Sequence, residues 1–204
     1  VVVVEGGAAI TMDGFLGSVE AVVHAWYPGV EGGTAIADVL YGVTNPSGRL
    51  PIVFPRTEAD LPPFDNTSLS VTYGPYHGYR HLDRGQVAPL FPFGFGLSYT
   101  TFAYANLALE SGTLSANGTL RASVDVTNAG STAGRETVQL YVGEAVPSAT
   151  TRYVRELRGF AQVDLAAGET KRVTIEVPVA ELAYFDVELG AFRVAATTYR
   201  VEVG

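Results

Sequence analysis

From residue 119 to residue 203 the chain keeps returning to one pattern: apolar, polar, apolar, polar. "LRASVDVTN" sets Leu120, Ala122, Val124 and Val126 against Arg121, Ser123 and Asp125. "TVQLYVG" repeats it with Val138, Leu140 and Val142, and "KRVTIEVP" sets Val173, Ile175 and Val177 against Arg172, Thr174 and Glu176. "TYRVEVG" closes with Tyr199, Val201 and Val203. Successive side chains of a strand point to opposite faces, so each segment carries one apolar face that must be buried. Turn signals such as "NAGSTAG" and "AAGE" fall between the segments. Half-buried strands joined by short turns predict an antiparallel β-sandwich.

The sandwich is expected over residues 102–204. The chain has no cysteine, so no disulfide bridges its sheets. An immunoglobulin or fibronectin type III architecture fits this strand spacing.

The first 60 residues follow a different pattern. Val1 to Val4 read as a strand buried on both faces. Thr11 or Asp13 is placed to cap a short helix. "AVVHAWYPG" reads as a second buried strand, and "EGGTAIADVLYG" as a helix with Ala35, Ile36, Val39 and Leu40 on one face, stopped by Gly42. "NPSGRLPIVFP" reads as a turn and a last short strand. Two strands joined by helical segments indicate the end of a mostly parallel sheet with helices, an α/β segment. A sheet this small does not stand alone, and the valine strand has no residues before it. The chain is therefore expected to be a piece of something larger.

Residues 61–101 show neither pattern and are expected to be an aromatic-rich junction packing on both domains. "PLFPFGFGLSYTTF" carries Phe91, Phe93, Phe95, Tyr99 and Phe102, yet its prolines and glycines suit neither a helix nor a central strand. Buried rings with close-approaching glycines account for it better than a sugar-stacking platform does.

Composition removes several classes of function. Apolar residues make up 47% and charged residues 17%, enough for a core and too apolar for wholesale disorder. The net charge of −8 disfavours nucleic acid and anionic membrane as partners. No apolar run approaches the roughly 20 residues of a membrane-spanning helix. Without cysteine there is no thiolate metal site or thiol nucleophile. His77 and His81 are four apart, but a glycine between them makes a metal site improbable, and no cofactor is indicated. Cysteine content is neutral about compartment; a secreted or periplasmic location is favoured over a cytoplasmic one.

Candidate site residues are few. Glu5 and Glu31 each follow an apolar strand and precede "GG", which places them at carboxyl ends of parallel strands, where open α/β sheets hold their sites. Each could orient a catalytic group or a sugar hydroxyl. The plainer readings are a solvated loop acid for Glu5 and a helix N-terminal charge for Glu31. In "GPYHGYRHLD", Tyr76, His77 and Arg80 could rim a sugar site or pin the junction.

"AWYPGVEGGTAIADVLYGVTNPSGRLPIVFP" and "PLFPFGFGLSYTTF" resemble the C-terminal portion of glycoside hydrolase family three β-glucosidases. "LRGFAQVDLAAGETKRVTIEV" is similar to the fibronectin type III-like domain that ends many members. Ala195, Ala196 and Thr197 depart from the Pro-Gly turn usual before the last strand. The resemblance implies a retaining, exo-acting β-glucosidase with no catalytic residue in this chain. Its catalytic aspartate and glutamate would lie on a missing upstream segment that includes a (β/α)8-type barrel. The implied partners are that barrel-bearing segment and a β-glucoside or oligosaccharide substrate, with a homo-oligomer open. The rival reading is an autonomous carbohydrate-binding or adhesion module. Against it, outward strand positions are Arg, Ser, Thr, Glu and Asp, with no aromatic stripe.

Overall fold

A computed structural model describes residues 1–146 and 152–204. They divide into two compact units, Val1–Tyr99 and Thr100–Gly204.

In the first unit, β1 (Val2–Glu5) and β2 (Val22–Trp26) pair in parallel. The register runs Val2 to Val22, Val3 to Val23 and Val4 to His24, then slips so that Glu5 faces Trp26. The slip coincides with φ +56° at Trp26, a left-handed backbone that a bulky residue seldom adopts. The valine strand is not buried on both faces. Val1 and Val3 are exposed, and among the described residues β1 pairs with β2 alone.

The helix expected after Thr11 or Asp13 is a 3-10 turn, Leu16–Ser18, entered from Phe15 without a side-chain cap. The Met12 carbonyl organises it by accepting from Phe15 and Leu16 N–H, and the Met12 side chain is buried. The next predicted helix forms as α1, Gly32–Leu40. Gly42 ends it at φ +73°, where glycine carries no Cβ penalty.

The last strand expected in this unit does not form. Pro51 and Pro55 have no N–H to give a ladder, and residues 50–54 instead share irregular bonds with residues 90–95. Phe54 N–H donates to Phe91 O at 2.9 Å, Leu50 N–H to Phe95 O at 2.8 Å and Gly94 N–H to Leu50 O at 2.8 Å. This pairing gives the aromatic stretch its place. Phe54 is buried and meets Phe91 edge-on, Phe91 stacks on Phe95 at 5.1 Å, and Phe93 lies 5.3 Å from Tyr79. A Cβ on Gly96 would stand 2.2 Å from the Gly48 carbonyl oxygen, so only glycine permits that approach.

A helix missed by the sequence reading, α2 (Tyr79–Gly85), lies inside the segment expected to be irregular. Gly78 at φ +55° starts it, Gln86 in the left-handed region ends it, and Leu82 is its buried residue.

The second unit is the sandwich. One sheet orders β3 (Phe102–Leu109), β4 (Thr119–Asn128) and β7 (Thr170–Pro178). The other orders β10 (Tyr199–Val203), β5 (Gly134–Glu144) and β6 (Glu156–Leu165). A hairpin of β8 (Tyr184–Asp186) and β9 (Ala191–Arg193) stands beside them. Every apolar position read from the alternation of β4, β5 and β7 is in the core, with Val126, Val138, Leu140 and Val177 fully enclosed. The outward positions of β4 and β7 form a polar ladder in register. Arg121 pairs with Glu176, Ser123 with Thr174, Asp125 with Arg172 and Thr127 with Thr170.

At one end of the core Asn128 is fully buried. Its Oδ1 accepts from the Thr100 hydroxyl and Gly130 N–H, and its Nδ2 donates to the carbonyls of Thr132 and Leu165. A buried amide satisfied on both sides stabilises the turns around it, whereas one left half-paired would cost stability.

Candidate functional site

The carboxyl edge of the parallel pair holds both candidate carboxylates. Glu5 ends β1, exposed, and the following Gly6 N–H donates to Trp26 O at 3.0 Å, which ties the two strand ends together. Glu31 occupies the N-cap position of α1. Its carboxylate accepts from the Thr34 hydroxyl at 3.4 Å, and its carbonyl begins the helix by accepting from Ala35 N–H. A negative charge here is favoured by the helix N-terminus, typically by about 0.3–1 kcal/mol. The helix-terminal reading of Glu31 thus has a geometric basis. Among the described residues no hydrogen bond or ion pair joins Glu5 to Glu31.

Around these acids the same edge carries residues that the sequence reading passed over. His24 lies tilted against Trp26 with ring centres 4.1 Å apart and meets Phe54 edge-on, so the ring series of the aromatic stretch continues to the strand end. The Tyr27 ring lies so close to Gly7 that a Cβ there would fall 2.6 Å from it. Nothing in the sequence marks this contact, which depends on how two loops meet.

Tyr76 and His77 lie just before α2 and Arg80 in its first turn. The Arg84 guanidinium, in the last turn of α2, lies 4.3 Å from the centre of the Tyr76 ring. Tyr73 meets His77 edge-on at 5.5 Å, and Arg80 lies over Tyr79 at 5.8 Å. The structure therefore leaves Glu5 at the end of β1 and Glu31 at the N-cap of α1, and places Tyr76, His77 and Arg80 around the start of α2. These last three are bound up in ring contacts within their own segment.

Retaining hydrolysis of a glycoside needs two carboxyl groups about 5–5.5 Å apart in different protonation states. Glu5 and Glu31 are both exposed, and among the described residues no hydrogen bond or ion pair joins them. Among the described residues no group of three or more His, Asp or Glu side chains could hold a metal ion, and no helix is long and apolar enough to cross a membrane.

The sandwich contains a small polar cavity lined by Glu144, Arg152, Glu156, Arg158 and Tyr199. Burial is the main cause that raises the Tyr199 hydroxyl above its usual range. Two carboxylates and two guanidiniums balance one another there, so the cavity has no surplus charge for an ionic ligand.

Residues 1–99 match the glycosyl hydrolase family 3 C-terminal domain, and residues 136–204 match the fibronectin type III-like domain. The chain is 44% identical to Beta-glucosidase B of Emericella nidulans over 97% of its own length and 25% of that protein. It is 43% identical to a Beta-glucosidase of Rhizobium radiobacter over 100% of its length and 26% of the relative. Among solved structures, the Beta-glucosidase from Kluyveromyces marxianus in complex with glucose superposes with a TM-score of 0.89 at 40% identity, covering 100% of this chain and 25% of that one. The chain thus spans about a quarter of the length of the curated relatives it matches.

Proposed function

The chain belongs to glycoside hydrolase family 3, of which it carries the C-terminal and fibronectin type III-like domains, and from that premise we propose that it is the scaffold part of a retaining β-glucosidase. In this reading the complete polypeptide removes terminal β-linked glucosyl residues. Its catalytic pair lies upstream, on the barrel-bearing segment and the part of the α/β domain before β1. The 204 residues close the α/β domain, and Glu5 and Glu31 present carboxylates near the edge where substrate is handled.

The observation that carries this reading is the placement of the acids. Glu5 stands exposed at the end of β1 and Glu31 exposed at the N-cap of α1, with no hydrogen bond or ion pair joining them among the described residues, while the beta-glucosidases that match the chain extend far beyond the matched region. The polar outer ladder of β4 and β7 disfavours the alternative of an autonomous sugar-binding module on that face, because it presents hydroxyls and ion pairs where a stacking platform needs rings.

The test is turnover of an aryl β-glucoside by the 204-residue chain, by the complete polypeptide and by its Glu31→Gln variant. The chain alone is expected to be inactive and the complete polypeptide active. Glu31→Gln should lower kcat/KM modestly, since loss of a positioning contact costs less than loss of an acid or nucleophile. Activity of the isolated chain would overturn the scaffold reading. A collapse of the Glu31→Gln enzyme that azide restores would make Glu31 a catalytic group.

A further inference from the structure

Between the 3-10 turn Glu58–Asp60 and α2, the first unit runs without helix or strand. Within this run Leu69, Val71 and Tyr73 alternate with Ser70 and Thr72, the period of a strand. All three apolar side chains are exposed, at 106%, 40% and 51%. Residues 69–74 make no main-chain to main-chain hydrogen bond; Ser70 N–H donates to the Ser68 hydroxyl at 3.3 Å and its carbonyl accepts from that hydroxyl at 2.8 Å, which leaves the main-chain groups of Leu69, Val71, Thr72 and Tyr73 open.

Both ends of the segment are nevertheless fastened. Asp65 Oδ1 accepts from Thr67 N–H at 2.8 Å, from the Thr67 hydroxyl at 2.7 Å and from Ser68 N–H at 3.2 Å. At the other end Tyr73 meets His77. A segment held at both ends, with apolar side chains at period two and open main-chain groups, complements a sheet edge or an apolar groove. Residues 66–74 carry no charge, so an ionic partner gains nothing from them.

We propose that residues 69–73 dock onto the upstream part of the same polypeptide, seating Leu69, Val71 and Tyr73 in an apolar groove there. The proposal rests on reading the chain as one part of a longer glycosidase. Two considerations select this occupant. The relatives carry about three quarters of their length outside the matched region, which supplies a large adjoining surface. A second copy would have to bury about 800 Å² per partner to hold by itself, more than three side chains provide. A covalently attached surface needs far less contact, because attachment gives an effective concentration near the millimolar range.

Hydrogen exchange read by mass spectrometry tests it, comparing the 204-residue chain with the complete polypeptide at two protein concentrations. The amides of residues 69–73 are expected to exchange at the unprotected rate in the chain alone. In the complete polypeptide they should slow by at least about tenfold, independent of concentration. A Leu69→Asp, Val71→Asp variant of the complete polypeptide should lose that protection while the amides of β4 and β7 keep theirs. Equal rates in the two proteins would overturn the proposal, and so would protection already present in the chain alone. Protection that grows with concentration would assign the segment to a second copy and overturn it as well. Aryl β-glucoside turnover is scored separately. Turnover without protection sinks the docking alone, and protection without turnover sinks the glucosidase reading alone.

Discussion

The Tyr99 hydroxyl donates to the backbone carbonyl of Val39 at 2.6 Å across a sequence separation of 60 residues. That contact fastens the aromatic stretch to the last turn of α1, on a carbonyl that also accepts from Gly42 N–H at 3.1 Å. Nearby, Asn45 Oδ1 accepts from the Ser98 hydroxyl at 2.9 Å and from Tyr99 N–H at 2.8 Å, a second clasp on the same strand of chain.

Tyr99→Phe is expected to lower the stability of the first unit by about 0.5–1 kcal/mol, the lower part of the usual range because the site is partly solvated. Urea unfolding of the 204-residue chain, followed by aromatic fluorescence, measures it. An unchanged midpoint would mean that water replaces the hydroxyl without loss.

Gly96→Ala should cost more. The added Cβ would meet the Gly48 carbonyl, a backbone atom that cannot swing aside, at 2.2 Å. A loss of about 1–3 kcal/mol is expected, whereas Gly33→Ala, where nothing lies within 4 Å, should be tolerated. Thermal melting of the two variants side by side gives the comparison, and equal midpoints would refute the close approach.

How much of this was legible in the sequence depends on what specified each element. The alternation in β4, β5 and β7 identified buried positions one by one, because a period of two leaves little choice of face. β3 and β6 escaped that reading. The inward positions of β6 include Gly159 and Ala161, too small to stand out, and Gly159 lies where a Cβ would meet Ile175 at 2.5 Å. The pairing of Phe54 with Phe91 was hidden for another reason: proline removes the ladder signal, and the contact is set by tertiary packing. For the candidate site, the apolar run before the first "GG" marked Glu5 as the end of β1, whereas Glu31 lies beyond β2 at the N-cap of α1. The Tyr27–Gly7 contact could not be read, since it depends on how two loops meet.

Asn128→Ala should destabilise the sandwich by roughly 2–4 kcal/mol, since four side-chain hydrogen bonds, two of them buried, are lost and partners are left unsatisfied. The same network sets the boundary of the unit. A piece beginning at Thr100 should melt higher than one beginning at Phe102, which lacks the Thr100 hydroxyl and the Thr101 carbonyl that accepts from Ala129 N–H. Calorimetry of the two pieces decides it, and identical transitions would exclude Thr100 from the sandwich.

The sandwich should also lose stability in acid. Arg135 beside Asp164 and Arg172 beside Asp125 hold both carboxyls below their usual range. A carboxyl depressed in the folded state contributes stability above its unfolded value, near 4, and loses it as pH falls through the folded value. Melting temperature should therefore be level from about pH 7 to 5 and decline below about pH 4. Asp164→Asn with Asp125→Asn should make that decline shallower, and these exposed pairs should weaken in high salt. A decline of the same steepness in the double variant would place the acid sensitivity elsewhere.

The pairing of β10 with β5 bears on how the protein is made. Tyr199 pairs with Glu144 and Val203 with Leu140, so one side of the central strand is completed by residues synthesised long after it. At roughly 5–20 residues per second, β5 leaves the ribosome several seconds before β10 is translated. During that interval the edge carrying Val138, Leu140 and Val142 is open to any strand that reaches it. Each nascent chain on a crowded message therefore passes through a window in which neighbouring chains compete for its unfilled place. Slowing translation just after β5 would lengthen that window, whereas faster passage to β10 would shorten it.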